Sequence, residues 1–323
     1  MSSRLLTAII VVVGVPAVLV GYIVGTEQAL RLVPGRWQRR IRPWLWILPA
    51  LAFLFVFLVY PAINTVNLSF KDRFTRSYVG LDNYRYFFTS PGTLGSLRNN
   101  GLWLVFLTAF AVGFGLLIAV VVDRVRYEAK AKAVFFLPLA VSFVAAAVIW
   151  RFMYDYRPPG AVQTGTLNAV VTAAGGDPVP WLIERPINNL ALILVAVWMW
   201  TGFCMVIISA GLKRIDTELL EAGRVDGANE WQVFRKIILP LLRPTIAVVS
   251  TTMIIVALKA FDIVYVMTNG AHDTNVIANQ MYQEMFNFGQ FGRASAVAVV
   301  LLLAIIPVMV FNVRRFREQE AIR

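Results

Sequence analysis

Cysteine and histidine are almost absent: Cys204 and His272 are the only ones in 323 residues. A single cysteine excludes a disulfide framework and a multi-thiolate metal site. A single histidine leaves no material for a His-ligated metal centre or a Ser-His-Asp triad. Charge is also scarce. Asp, Glu, Lys and Arg make up 15% of the chain, against about 25% in an ordinary soluble domain. Acidic residues are the scarcer sign, 18 against 30 basic. The sequence contains no GxxxxGK[ST] phosphate loop, so the chain is not read as a nucleotide hydrolase. Internal repeats and low-complexity stretches are missing too.

What is present is apolar surface. The hydrophobic fraction is 59% and the mean hydropathy +0.69. Charge-free runs cover residues 5–26, 43–70, 99–122, 133–150, 186–212, 244–258 and 294–313. Most approach the roughly 20 residues that a helix needs to cross a bilayer, and they are apolar on every face. Strict alternation is absent, which argues against membrane strands. The expectation is an all-α polytopic bundle of seven spans, the sixth continuing past Lys259 and Asp262 to residue 267. Residues 5–25 sit where a signal peptide would. The run is long and lacks a small-residue cleavage pattern, so it is read as a retained helix. Its Gly21 and Gly25 are spaced for close helix approach.

The formal charge of +12 reads as a topology signal rather than a nucleic-acid surface. The segments 26–42, 123–132, 213–243 and 314–323 hold 19 basic residues, and the alternate segments hold 10. The positive-inside rule makes the first set cytoplasmic, with the N-terminus outside and the C-terminus inside. Trp44 and Trp46 are expected as anchors at the inner interface, Trp103 and Trp150 at the outer one. Lys259 and Asp262, three apart on one helix face of a span, are able to pair, or lie near the outer interface with Lys259 snorkelling outward. As intramembrane charges they are functional candidates, Asp262 for an outer gate or path.

The loop before span six is the most informative stretch. Asp216 suits an N-cap and Glu218 the first turn of a helix. Leu219, Leu220, Ala222 and Val225 give it an apolar stripe. Gly227 can take a positive φ and end it. Trp231, Phe234 and Ile237 then mark a second short helix, and Pro240 and Pro244 punctuate the start of span six. The residues alone describe a helix–turn–helix pair on the cytoplasmic face, with Glu221, Arg224 and Asp226 near the bend.

The spelling Glu221-Ala222-Gly223, then Gly227, then Ile237-x-Leu239-Pro240 resembles the EAA loop of binding-protein-dependent ABC importer permeases. Asp226 and Phe234 also fit, whereas Gly223 stands where that family usually has alanine. Over roughly residues 44–323 further features are similar to carbohydrate permeases: Gly80-Leu-Asp-Asn-Tyr84, Leu137-Pro138, Phe261-Asp262 with Thr268-Asn-Gly270, and Gly292-Arg-Ala-Ser-Ala296. The stretch from Asp262 to Glu320 looks like the first permease subunit of alpha-glucoside importers.

The resemblance implies a type I ABC importer permease fold, with six core helices in residues 44–323. An extra N-terminal helix and a basic linker would occupy residues 1–43. It implies no enzyme activity, metal or cofactor in this chain; ATP and Mg would lie on a partner. It implies a multi-pass protein of a bacterial or archaeal inner membrane and an imported sugar, an alpha-glucoside or other oligosaccharide. Its partners would be a second permease, two ATP-binding cassette subunits and an extracytoplasmic solute-binding protein. The loop at 213–243 would dock on the ATPase through Glu221, Ala222, Gly223, Asp226, Gly227, Ile237, Leu239 and Pro240.

For the substrate path, Trp200 lies roughly 18 Å along span five at about 1.5 Å per residue, near the middle of an apolar layer about 30 Å thick. Trp198, Trp200 and Phe203 therefore offer aromatic faces at mid-depth. By motif, the sugar-contacting positions of maltose-type permeases fall at Leu139, Phe143, Ala196, Met199, Trp200, Phe203, Val256, Ala257 and Ala260. Several are polar in that family and apolar here, which implies that part of the grip lies on the partner permease. The candidates kept for the path are Phe143, Met199, Trp200, Phe203, Ala260 and Asp262. Two alternatives stay open: a permease of the same fold for a glycerol phosphate ester or amino acid, and a secondary transporter, for which Asp262 is the one carboxylate within a span.

Overall fold

The computed structural model describes residues 2–123 and 125–321. Its helices are α1 (Ser2–Arg31), α2 (Gly35–Leu68), α3 (Asp82–Thr89), α4 (Pro91–Val122), α5 (Glu128–Phe136), α6 (Phe143–Met153) and α7 (Thr166–Ala173). There follow α8 (Ile187–Leu212), α9 (Thr217–Val225), α10 (Glu230–Leu258), α11 (Asp262–Met267), α12 (Ile277–Tyr282) and α13 (Phe291–Ala321). Six of these are long and apolar enough to cross a membrane, and a seventh span arises if the bent pair α5–α6 is counted as one. Two compact units are formed, Met1–Asn64 and Thr65–Arg323.

The first unit is a helical hairpin of α1 and most of α2. Gln38 Nε2 donates to the Leu30 carbonyl at 2.5 Å, and the Tyr22 hydroxyl donates to the Leu45 carbonyl. No residue of Gly35–Leu54 is buried, and Phe53, Phe55 and Phe57 are exposed, as expected of a helix whose solvent is lipid. A Cβ at Gly21 or Gly25 would meet nothing within 4 Å among the described residues. A π-type turn at Phe55–Val59 precedes Pro61. Another at Phe234–Ile238 precedes Pro240 by the same offset. Proline lacks an N–H and crowds the carbonyl four residues back; widening the preceding turn lets each helix continue. The short helix expected around Trp231 and the sixth span expected after it are therefore one helix, α10.

In the second unit α4 and α8 form the centre, and α10 packs on both. The core face of α4 carries Trp103, Leu107, Ala111, Gly115 and Ala119, each four residues from the next and all buried. Small residues on this ridge let the backbones close up. A Cβ at Gly115 would lie 2.5 Å from Cys204 Cβ and 2.9 Å from the Met205 nitrogen. Gly202 does the same on the other side of α8, facing the Phe135 carbonyl.

Two expected spans are broken. The fourth turns by 95° between α5 and α6. Pro138 lies in a tight turn over Leu137–Ala140, and Ser142 then caps α6 by accepting from the Ala145 N–H at 3.2 Å. The sixth stops at Leu258 instead of running to residue 267. Lys259 leaves helical geometry at φ −94°, ψ 12°, Phe261 follows at φ −146°, ψ −64°, and α11 begins afresh.

Candidate functional site

The break after Leu258 opens a cavity of about 310 Å³ between α4, α6, α8 and α10. Its wall carries the rings of Trp103, Phe143, Trp200 and Phe261, and its charged lining residues are Lys259 and Asp262. The Trp200 ring lies 6.1 Å from Phe143, and Phe203 meets it edge-on at 5.6 Å. The indole nitrogens of Trp103 and Trp200 are both buried without a hydrogen-bond partner. An enclosed indole N–H without an acceptor costs about 1–3 kcal/mol. Mostly aromatic walls with a few polar groups are the usual build of a small-molecule site.

Of the residues expected along a path, Phe143, Trp200, Ala260 and Asp262 are brought together on this wall, joined by Ala196 and Val256. Met199 is 1% exposed and belongs to the core. Phe203 packs behind Trp200, Ala257 is buried, and Leu139 is not part of the lining. Trp103, expected as an interfacial anchor, is 2% exposed and faces the cavity. Trp150 lies tilted against Tyr154 at 5.4 Å and meets Trp198 edge-on at 5.7 Å. Lys259 and Asp262 form no ion pair, because the helix that would align them ends between them.

Sequence reasoning missed what holds this break open. Asn100, 2% exposed, donates through Nδ2 to the Ala257 and Leu258 carbonyls, both at 3.3 Å. Its Oδ1 accepts the Ile277 N–H at 2.7 Å. One side chain thus caps the end of α10 and the start of α12. Asn99 donates to the Asp273 and Asn275 carbonyls at 2.6 and 2.8 Å. Asn188 donates to the His272 carbonyl at 2.7 Å, and Asn189 to that of Asp273 at 3.3 Å. Arg185 closes the bracket on Asp273 at 2.6 Å. Two Asn-Asn pairs near the starts of apolar helices were the available signal.

At the far end of α8, the loop forms as its residues direct. Asp216 accepts the Glu218 N–H at 3.0 Å and caps α9. Gly227 takes φ +84°, and the Ala228 N–H returns to the Gly223 carbonyl at 3.0 Å. Asn229 and Gln232 exchange 2.9 Å bonds as a capping box that starts α10. Arg224 bridges the bend to Glu230 at 2.8 Å; that carboxylate holds the guanidinium above its usual range. Glu221, Ala222, Asp226 and Gly227 are exposed, whereas Gly223, Ile237, Leu239 and Pro240 are half-buried. Gly223 has a steric reason: a Cβ there would stand 2.6 Å from the tip of Ile237. Lys213, where α8 ends, binds Glu128 at 2.7 Å, which raises its pKa. Lys132 bonds both Glu128 and Ser209, tying α5 to the same point.

The family described as "binding-protein-dependent transport system inner membrane component" matches residues 4–316. The chain belongs to that family. This permease is 55% identical to the osmoprotective compounds uptake permease protein GgtC of Synechocystis sp., over 86% of its own length and 100% of the relative's. It is 47% identical to the alpha-glucoside transport system permease protein AglF of Rhizobium meliloti, over 85% and 82%. Its fold matches a chain of a bacterial ABC transporter involved in the import of alginate, with a TM-score of 0.73 and 24% identity over 86% and 99%. The permease is thus a multi-pass inner-membrane protein of the ABC importer class.

Proposed function

We propose that the permease forms half of the path of an ATP-driven importer for an alpha-glucoside or related oligosaccharide. A second permease completes the path, a solute-binding protein delivers the sugar, and two ATPase subunits drive closure through the loop at 213–243. The observation that carries the reading is the aromatic cavity at the α10 break. Flat rings suit the C–H faces of a sugar ring. The cavity volume, about 310 Å³, sits at the lower end of the range for small-molecule sites, about 300–1,000 Å³. The name of the relative in Rhizobium meliloti supports the sugar class.

A second reading, uptake of an osmoprotective solute, is favoured by the name of the relative in Synechocystis. Both are tested by uptake into proteoliposomes holding the assembled importer, with labelled alpha-glucosides competed by unlabelled sugars and by amino-acid osmolytes. The expected result is competition by alpha-glucosides and about a tenfold lower uptake in Trp200→Ala, the loss of one aromatic contact worth about 1.4 kcal/mol. Competition by amino-acid osmolytes alone, or full uptake in Trp200→Ala, would overturn the sugar reading.

A further inference from the structure

The turn between α1 and α2 concentrates Arg31, Arg36, Arg39, Arg40 and Arg42, all exposed. Between the two helices lies a cleft of about 110 Å³ lined by Glu27, Leu30, Arg31, Gln38, Arg39 and Arg42. Its frame is built. The Gln38 amide bonds the Leu30 carbonyl, Leu30 is 3% exposed and forms the floor, and Arg42 pairs with Glu27 at 2.5 Å. That pair neutralises one arginine. Arg31 and Arg39 take part in no ion pair among the described residues, so two guanidinium groups face the cleft without a counter-charge.

The surroundings say where the missing anion comes from. Trp37 sits among these arginines and Trp44 and Trp46 follow on α2; they are 49%, 67% and 41% exposed. Such amphipathic rings sit at headgroup depth. Beyond them Ile47, Leu48 and Leu51 are exposed on the same helix and offer an apolar flank to acyl chains. The cleft is too small for a whole metabolite but has room for a phosphate group, and the guanidinium fork matches phosphate oxygens in pairs. The count of basic residues places this turn at the cytoplasmic leaflet, where basic pockets between membrane helices take anionic headgroups. We propose that the α1–α2 cleft binds the phosphate of an anionic phospholipid.

The test is native mass spectrometry of the full-length permease, titrated in detergent with phosphatidylglycerol, with phosphatidylcholine and with inorganic phosphate. The expected result is retention of phosphatidylglycerol over phosphatidylcholine, undiminished by millimolar inorganic phosphate. Arg31→Gln/Arg39→Gln should weaken it about 25-fold, about fivefold per arginine. Arg85→Gln/Arg98→Gln removes the same charge elsewhere and should leave it unchanged. The lysine pair Arg31→Lys/Arg39→Lys keeps charge without the fork and should fall between. Equal retention in the wild type and the Arg31/Arg39 double variant, equal loss in the Arg85/Arg98 control, or displacement by inorganic phosphate would each overturn the proposal.

Discussion

Asn100→Ala tests how the α10 break is held. The side chain makes three buried bonds: two to the Ala257 and Leu258 carbonyls at 3.3 Å and one from the Ile277 N–H at 2.7 Å. Truncation orphans the Ile277 N–H, a cost of about 1–3 kcal/mol, and removes two long, weak bonds of about 0.5 kcal/mol each. The expected loss is about 2–4 kcal/mol. Asn99→Ala is the comparison. It removes two donors to loop carbonyls but orphans no backbone N–H, so its expected loss is about 1–2 kcal/mol. Denaturant titration of both variants in micelles reads the difference. An equal loss, or a larger one in Asn99→Ala, would refute the double-cap account.

Other outcomes follow from the same contacts. Gly115→Ala places a Cβ 2.5 Å from Cys204 Cβ and should destabilise the protein by about 1–3 kcal/mol; Cys204→Ala keeps that Cβ and should give no rescue in the double variant. Gly223→Ala should change stability by less than about 1 kcal/mol, because the gain in helix propensity is offset by a rotamer change at the flexible Ile237 tip. Gly227→Pro replaces φ +84° by a residue fixed near −65° and should abolish transport while the spans still insert, read by uptake together with membrane-fraction yield.

The membrane class and the loop at 213–243 were legible because both depend on local signals. A charge-free run needs no partner to be recognised, and Asp216 and Gly227 act within their own turn. The two breaks were not legible from hydropathy, which averages over a window and is blind to a kink inside an apolar run. Local marks did exist: Pro138 followed by Ser142, and Asn100 waiting for carbonyls 157 residues away. Trp103 misled because it lies near the start of the charge-free run at residue 99, whereas α4 already begins at Pro91 and the four-residue ridge of α4 turns Trp103 inward. Several motifs similar to carbohydrate permeases turn out to be brackets. Asn83 donates to the Ser69 and Lys71 carbonyls at 2.9 and 2.7 Å. Gly292 lets α13 approach the same Lys71 carbonyl, and Arg293 lies 3.9 Å above the Tyr86 ring. Their spelling reflects close packing between distant segments.

In the proposed function, sugar moves through this chain only when the exposed face of α9 passes on an ATP-driven movement. The direct measurement is uptake of a labelled alpha-glucoside, with ATP hydrolysis followed in parallel, in proteoliposomes carrying the whole importer with wild-type permease or Glu221→Ala. Accumulation that requires ATP in the wild type and is lost in Glu221→Ala, with the variant still inserted and assembled, is the predicted result. Accumulation without ATP, or wild-type rates in Glu221→Ala, would contradict it.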